Sequence, residues 1–377
     1  MPSFENIPFI DLGAQRDYLG IKIDEAIERV LAHGQYILGP EVHRLEEQLA
    51  LYTGRKYAVS CANGTDALHL VLLAQGVGPG DAVFVPSFTF AATAEVVSLV
   101  GAMPVFVDVH ADTFNMDGAS LREACEMVRR AKELKPCGVI GVDLFGQSAD
   151  YDALNSVASE YGMWFMVDAA QSFGALSSSR QSCSYGVAAT TSFFPAKPLG
   201  CYGDGGAVFV DDEELALKLR SLRMHGQGEH KYDTVHVGLN SRLDTLQAAI
   251  LLEKLAIFPE EVGRRNGIAA RYNNALDDLV ETPFIGEHAS SVWAQYTIKL
   301  KGRDDVADAL KQRGIPTAIY YPRPLHQQKA YCNGLLPPGG LPLSEALASE
   351  VLSLPMHPYL DEQTQDRIVG ALAETLP

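Results

Sequence analysis

The chain has six cysteines, Cys61, Cys125, Cys137, Cys183, Cys201 and Cys332, and no C-x-x-C pair among them. So scattered a set offers no disulfide framework, and reduced thiols in a cytoplasmic protein are the expectation. Positive charge is also short: Lys and Arg number 30 against 47 Asp and Glu, for a formal net charge of −17. That balance argues against nucleic acid or an anionic membrane as the main partner. An anionic small substrate would need a local cluster of positive groups. The opening MPSFENIPFID has no basic region followed by an apolar core, so no secretory leader is expected. There is no low-complexity segment and no internal repeat. His225, His230 and His236 lie close together, but no carboxylate or thiol stands at zinc spacing, and no metal is expected. Two glycine-rich stretches fail as nucleotide loops. Gly200–Gly206 lacks the G-x-G-x-x-G pattern and leads into a strand, whereas Gly34–Gly39 continues Pro40-Glu41 where a P-loop needs Lys-Ser/Thr. Long apolar runs are rare. Ala82–Val107, with Glu95 its only charge, is long enough to cross a membrane, but Pro86 and Pro104 divide it into strand, helix and strand.

What is present is a composition of 47% hydrophobic and 20% charged residues in 377, enough for two domains and a large core. Strands are predicted at Tyr57–Cys61, Ala82–Pro86, Val105–Val109, Val139–Phe145, Trp164–Ala169, Ala188–Phe194 and Ala207–Val210. Helix-like segments separate most of them: Ala67–Gln75, Ala91–Leu99, Leu121–Leu134 and Tyr151–Tyr161. This alternation predicts an α/β fold with a mostly parallel sheet covered by helices on both faces. In such sheets ligands sit beyond the carboxyl ends of the strands, so the residues just after each strand carry most information. A helix over Leu243–Phe258 is expected to stop at Pro259. Beyond it the chain is rich in turn residues, which divides it into a large domain, 1–258, and a smaller α+β domain, 259–377.

The stretch Thr190–Gly206, TTSFFPAKPLGCYGDGG, sets Lys197 between an apolar strand and a glycine-rich turn. A poorly hydrated amine there has a lowered pKa and becomes a nucleophile toward carbonyl compounds. A lone lysine would read as a solvated loop residue, but its neighbours argue otherwise. After the first strand, Asn63-Gly64-Thr65-Asp66 opens a helix, whose free N–H groups suit a phosphate; an ordinary N-cap explains the same residues. Asp168 ends a buried strand in Asp168-Ala169-Ala170-Gln171, where a carboxylate needs a cationic or hydrogen-bonding partner. A protonated pyridine nitrogen is one such partner, and a helix N-cap is the competing explanation. Phe88 and Phe90 follow a third strand, where one of them could stack on a flat ring or both could be core residues. Together these groups call for a flat, phosphorylated, pyridine-containing aldehyde: pyridoxal phosphate, held by Lys197 as a Schiff base.

The chain resembles the DegT/DnrJ/EryC1/StrS family of sugar aminotransferases, pyridoxal phosphate enzymes of the aspartate-aminotransferase-like fold type I. The resemblance runs through HGQYILGPEV, CANGTDAL, PSFTFAATAE, VDAAQSFGA, TSFFPAKPLGCYGDGG, GLNSRLDTLQAA and YYPRPLH, nearly the whole chain. Within the family it is most similar to enzymes that aminate C3 of UDP-2-acetamido-2-deoxy-3-oxo-glucuronate. The resemblance implies Lys197 as the Schiff-base lysine, Asp168 on the pyridinium and Gln171 on the phenolic oxygen. It implies Phe90 stacked on the ring and Gly64, Thr65 and Ser192 around the phosphate. Asn240 would reach that phosphate from the neighbouring subunit of a homodimer with shared sites. Tyr36, Arg242, Tyr321 and His326 match segments lining the substrate cleft, although surface or dimer packing would account for them as well. Residues 120–137 are longer than the family's usual connection and are expected on the outer face. Arg323 and Lys329 stand where apolar residues are commoner, adding positive charge near the cleft.

The activity so implied is amino transfer in two half-reactions, from L-glutamate to a keto-sugar nucleotide in surface polysaccharide (O-antigen) biosynthesis. Related dehydratases carry histidine where this chain has Lys197, which favours transfer. An aminotransferase for 4-keto-6-deoxy sugars and a non-catalytic, cofactor-binding regulator on the same fold are the alternatives.

Overall fold

A computed structural model describes residues 7–230 and 232–376. The alternating segments build one seven-stranded sheet from β1 (Tyr57–Cys61), β2 (Asp81–Pro86), β3 (Met103–Val107), β4 (Lys135–Val142), β5 (Trp164–Asp168), β8 (Ala188–Ser192) and β9 (Gly206–Val210). The short β6 (Leu176–Ser177) and β7 (Arg180–Gln181) pair only with each other. The order across the sheet is β1-β9-β8-β5-β4-β2-β3. Neighbours from β8 to β3 are parallel, while β9 runs antiparallel to both β8 and β1. The reason is the connection: β8 passes to β9 through the Lys197 turn, with no helix to carry the chain back across the sheet.

Side chains alternate between two cores, as the period of a strand requires. Phe84, Val105, Val139, Phe165 and Phe209 enter one core with helices Pro40–Thr53, Gly118–Ala131 and Tyr151–Glu160. Val83, Val85, Phe106, Ile140 and Val208 enter the other with helices Gly64–Ala74, Ala92–Leu99 and Glu213–Leu222. The membrane-length run therefore folds as β2, a helix and β3. Among the described residues no helix is long and apolar enough to cross a membrane. Residues 120–137 span most of the helix Gly118–Ala131, a short turn and the start of β4, with Leu121, Ala124, Cys125 and Val128 packed into the first core.

The helix expected to stop at Pro259 continues from Thr245 to Leu276. Proline costs a helix interior about 3 kcal/mol or more. Burial on both sides of it outweighs that. Leu251, Leu255 and Phe258 fill the first core, and Ile268, Ala269, Tyr272 and Leu276 fill a third. The third core also takes β10 (Tyr296–Lys299), β11 (Val351–Leu354), Ile368 and Leu372 from the helix Glu362–Thr375, and Ile7. A second correction concerns β4. It ends at Val142, and Phe145, predicted as strand, sits in a tight turn at φ +59°.

Candidate active site

The carboxyl ends of β1, β8, β5 and β4 and the start of β9 lie along one edge, because the register pairs Cys61 with Gly206, Ser192 with Gly206, and Asp168 with both Thr190 and Val142. At one end Asn63 caps the helix Gly64–Ala74 by accepting from the Asp66 N–H at 2.7 Å. The N–H groups of Gly64 and Thr65, in the first turn, have no helical acceptor. A Cβ on Gly64 would stand 2.7 Å from the Cβ of Ser192, and one on Gly206 would stand 2.4 Å from the Asn63 carbonyl. Only glycine lets the helix start approach the strand ends this closely. The result is an N–H cup beside a serine, at the positive end of a helix.

Asp168 is 6% exposed and accepts from the Ala170 N–H at 3.1 Å and from Thr93 Oγ1 at 3.2 Å. Burial raises its carboxyl above the usual range, against the lowering effect of Ala170, Lys197 and Thr93. Lys197 shows the converse: burial lowers its amine, and Asp168 pulls the other way. Its turn is held by three bonds, Lys197 N–H to the Phe194 carbonyl at 2.8 Å, Cys201 N–H to the Phe193 carbonyl at 2.8 Å and Lys254 Nζ to the Gly200 carbonyl at 2.7 Å. The amine is thus biased toward its neutral, nucleophilic form.

Gln171 is buried, and its Oε1 accepts from the Phe145 N–H at 2.8 Å. That fixes the amide with Nε2 as the outward donor, 3.2 Å from the Tyr321 hydroxyl. Phe90, 56% exposed, lies 6.2 Å ring to ring from Tyr321. These residues and the Lys197–Asp168 pair form one surface. His326 lies in its wall, with Nδ1 2.6 Å from Ser87 Oγ and Nε2 3.1 Å from Glu345 Oε1. Both ring nitrogens are engaged within the chain. Tyr36 and Asn240 are exposed, and Arg242 reaches Met224 Sδ at 3.7 Å. No described contact joins these three to Lys197, Asp168 or Gln171 within one chain. Thr93, Phe145 and Asp143 belong to the site and escaped the sequence reading. Their partners are far away in the chain, and only the order of strands brings them near.

A flat molecule with a phosphate at one end and a basic ring nitrogen at the other answers both the N–H cup and the buried carboxylate, with an amine between to take its aldehyde. The residues fit pyridoxal phosphate, and the fold and site together define a pyridoxal phosphate enzyme of the aminotransferase class. Comparison with known proteins narrows the class. The model of the DegT/DnrJ/EryC1/StrS aminotransferase family matches residues 18–373, and the chain belongs to that family. It is 51% identical over 367 residues to the UDP-2-acetamido-2-deoxy-3-oxo-D-glucuronate aminotransferase of Pseudomonas aeruginosa, covering 97% of this chain and 99% of that one. The crystal structure of a DegT/DnrJ/EryC1/StrS aminotransferase from Brucella abortus superposes with a TM-score of 0.96 at 52% identity, covering 98% of this chain and 99% of that one. NtdA of Bacillus subtilis, solved with bound cofactor PMP, superposes at 0.87 and 29% identity, covering 100% of this chain and 86% of that one. Pyridoxal phosphate is accordingly the cofactor.

Proposed function

We propose that this chain transfers an amino group from L-glutamate to a keto-sugar nucleotide, at C3 of UDP-2-acetamido-2-deoxy-3-oxo-D-glucuronate. The setting proposed is surface polysaccharide biosynthesis, with a cytoplasmic homodimer that shares its sites. The observation that carries amino transfer is the Lys197 amine, lowered by burial, facing the buried Asp168. The substrate rests on the near full-length similarity to the Pseudomonas enzyme.

Pyridoxal phosphate, once bound, supplies an electron sink for a carbanion. Lys197 would hold it covalently, and its free amine would move a proton at the donor carbon. Asp168 accepts from the ring N–H and keeps that nitrogen protonated. Gln171 Nε2 donates to the phenolic oxygen, and Phe90 stacks on the ring. Gly64, Thr65 and Ser192 hold the phosphate, and the exposure of Asn240 supports its reaching the phosphate of a second copy. Tyr36, Arg242, Tyr321 and His326 are assigned to the sugar-nucleotide cleft, His326 through the wall it braces.

Gly64→Ala is expected to weaken pyridoxal phosphate binding at least tenfold, about 1.4 kcal/mol, in absorbance titrations of the apoprotein. The added methyl must move either the helix start or Ser192, and both belong to the cup. The substrate is tested with a panel of UDP- and dTDP-keto-sugars offered to the pyridoxamine form, with products weighed by mass spectrometry. The 3-keto hexuronate should react best. Reaction of 4-keto-6-deoxy sugars alone would overturn the uronate assignment, and cofactor colour unchanged by glutamate would point to a regulator. The division near residue 258 is likewise a proposal, and the passage of the long helix from one core to another between Phe258 and Ile268 supports it.

A further inference from the structure

A second carboxylate, Asp143, lies fully buried behind Asp168 at the end of β4, and the reaction as proposed does not use it. Three donors converge on it: Ser172 Oγ at 2.5 Å, the Tyr151 hydroxyl at 2.5 Å and the Ala149 N–H at 2.9 Å. Its own N–H donates to the Asp168 carbonyl at 3.1 Å. The next two residues continue the brace. Leu144 N–H donates to Asn115 Oδ1 at 2.8 Å, and Phe145 N–H to Gln171 Oε1 at 2.8 Å. Segment 143–145 therefore grips Asp168 by its main chain, Gln171 by its amide and Ser172 by its hydroxyl, all from the side away from the cleft.

Three donors suit an ionised carboxylate, which accepts from all of them at once, whereas on protonation one of the two hydroxyls must turn to accept. The charged and titratable groups facing Asp143 are Asp168 on β5, Tyr151 on the following helix and Cys183 beyond it, with Lys197 across Asp168. Burial pushes the Asp143 carboxyl up to about 7, and the negative charge of Asp168 adds to that. The three donors pull it down. Above that pH a second negative charge stands behind the first, in a setting that screens it poorly.

We propose that Asp143 is a positioning residue for the cofactor: it fixes Asp168 and Gln171 from behind, and its charge helps Asp168 hold the proton on the ring nitrogen. The proposal rests on the assignment of Asp168 to that nitrogen. Its test is the visible absorbance of the pyridoxal phosphate holoenzyme, titrated from about pH 5 to about pH 10. In Asp143→Asn the titration midpoint is expected about one unit below that of the wild type, because a negative charge that favours protonation is gone. Conversion by glutamate in a single turnover should slow about tenfold, with the half-saturating glutamate concentration little changed. A folded Asp143→Asn holoenzyme with a wild-type midpoint overturns the proposal. Should that variant not fold, Tyr151→Phe and Ser172→Ala decide. Each keeps the carboxyl and removes one donor, so Asp143 stays protonated to higher pH, and the midpoint should fall by a smaller amount. Unmoved midpoints in both overturn the proposal too. Asp168→Asn in the same titration separates the two assignments. If it also leaves the midpoint in place, the role of Asp168 fails; if it alone shifts it, only that of Asp143 does.

Discussion

Lys197→Ala is expected to lower turnover by more than about 10³-fold, within the range that one positioned acid–base group supplies. Two losses coincide. The first is the amine proposed to bind the aldehyde covalently, and the second is the base proposed to move the proton. Turnover of the keto-sugar should therefore fall in both half-reactions, measured separately by mixing the pyridoxal form with glutamate and the pyridoxamine form with substrate. Borohydride treatment should leave no cofactor fixed on the peptide containing position 197, whereas the wild type should carry one adduct there. Folding should be little disturbed. The turn is held by the main chain of Phe193, Phe194 and Cys201 and by Lys254, none of which the substitution removes. Near wild-type turnover in this variant would end the assignment.

Asp168→Asn should cost about 10²- to 10³-fold in the glutamate half-reaction, the usual toll for removing one aligned electrostatic group. The amide oxygen can still accept from the Ala170 N–H, and its NH2, in place of Oδ2, can donate to the Thr93 hydroxyl, so the geometry of the strand end is preserved. What disappears is the negative charge that stabilises a protonated ring nitrogen. Without that charge the electron sink is shallow, and removal of the donor's proton becomes slow. Burial strengthens the expectation, because an ion pair in this setting is weakly screened. Rapid-mixing absorbance with glutamate measures the effect, and a rate within about threefold of wild type would exclude the role.

Much of the sheet was legible because its strands are short apolar runs punctuated by glycine and proline. Lys197, Asp168 and Gly64 stood out as each closes or follows such a run. Other features had no local signal. Pro259 reads as a stop, yet its helix continues, because two cores pull on opposite ends of it. Phe145 looks like the last residue of a strand, but its backbone turns to present an N–H to Gln171, a partner 26 positions away. Asp143 matters only because β4 and β5 are neighbours, and Thr93 only because the helix that follows β2 reaches Asp168 at the end of β5; strand order is not written in composition or periodicity. His326 was legible as a residue near the cleft, but not as one whose ring nitrogens are both taken.

The helix from Thr245 to Leu276 acts as a shared beam, since its two halves are anchored in different hydrophobic interiors. Any rocking of one interior against the other must flex that beam rather than swing on a slack connector. Its softest rung is at Pro259, where a backbone donor is missing. Opening and closing of the cleft, if driven from the C-terminal side, would be geared through that one residue.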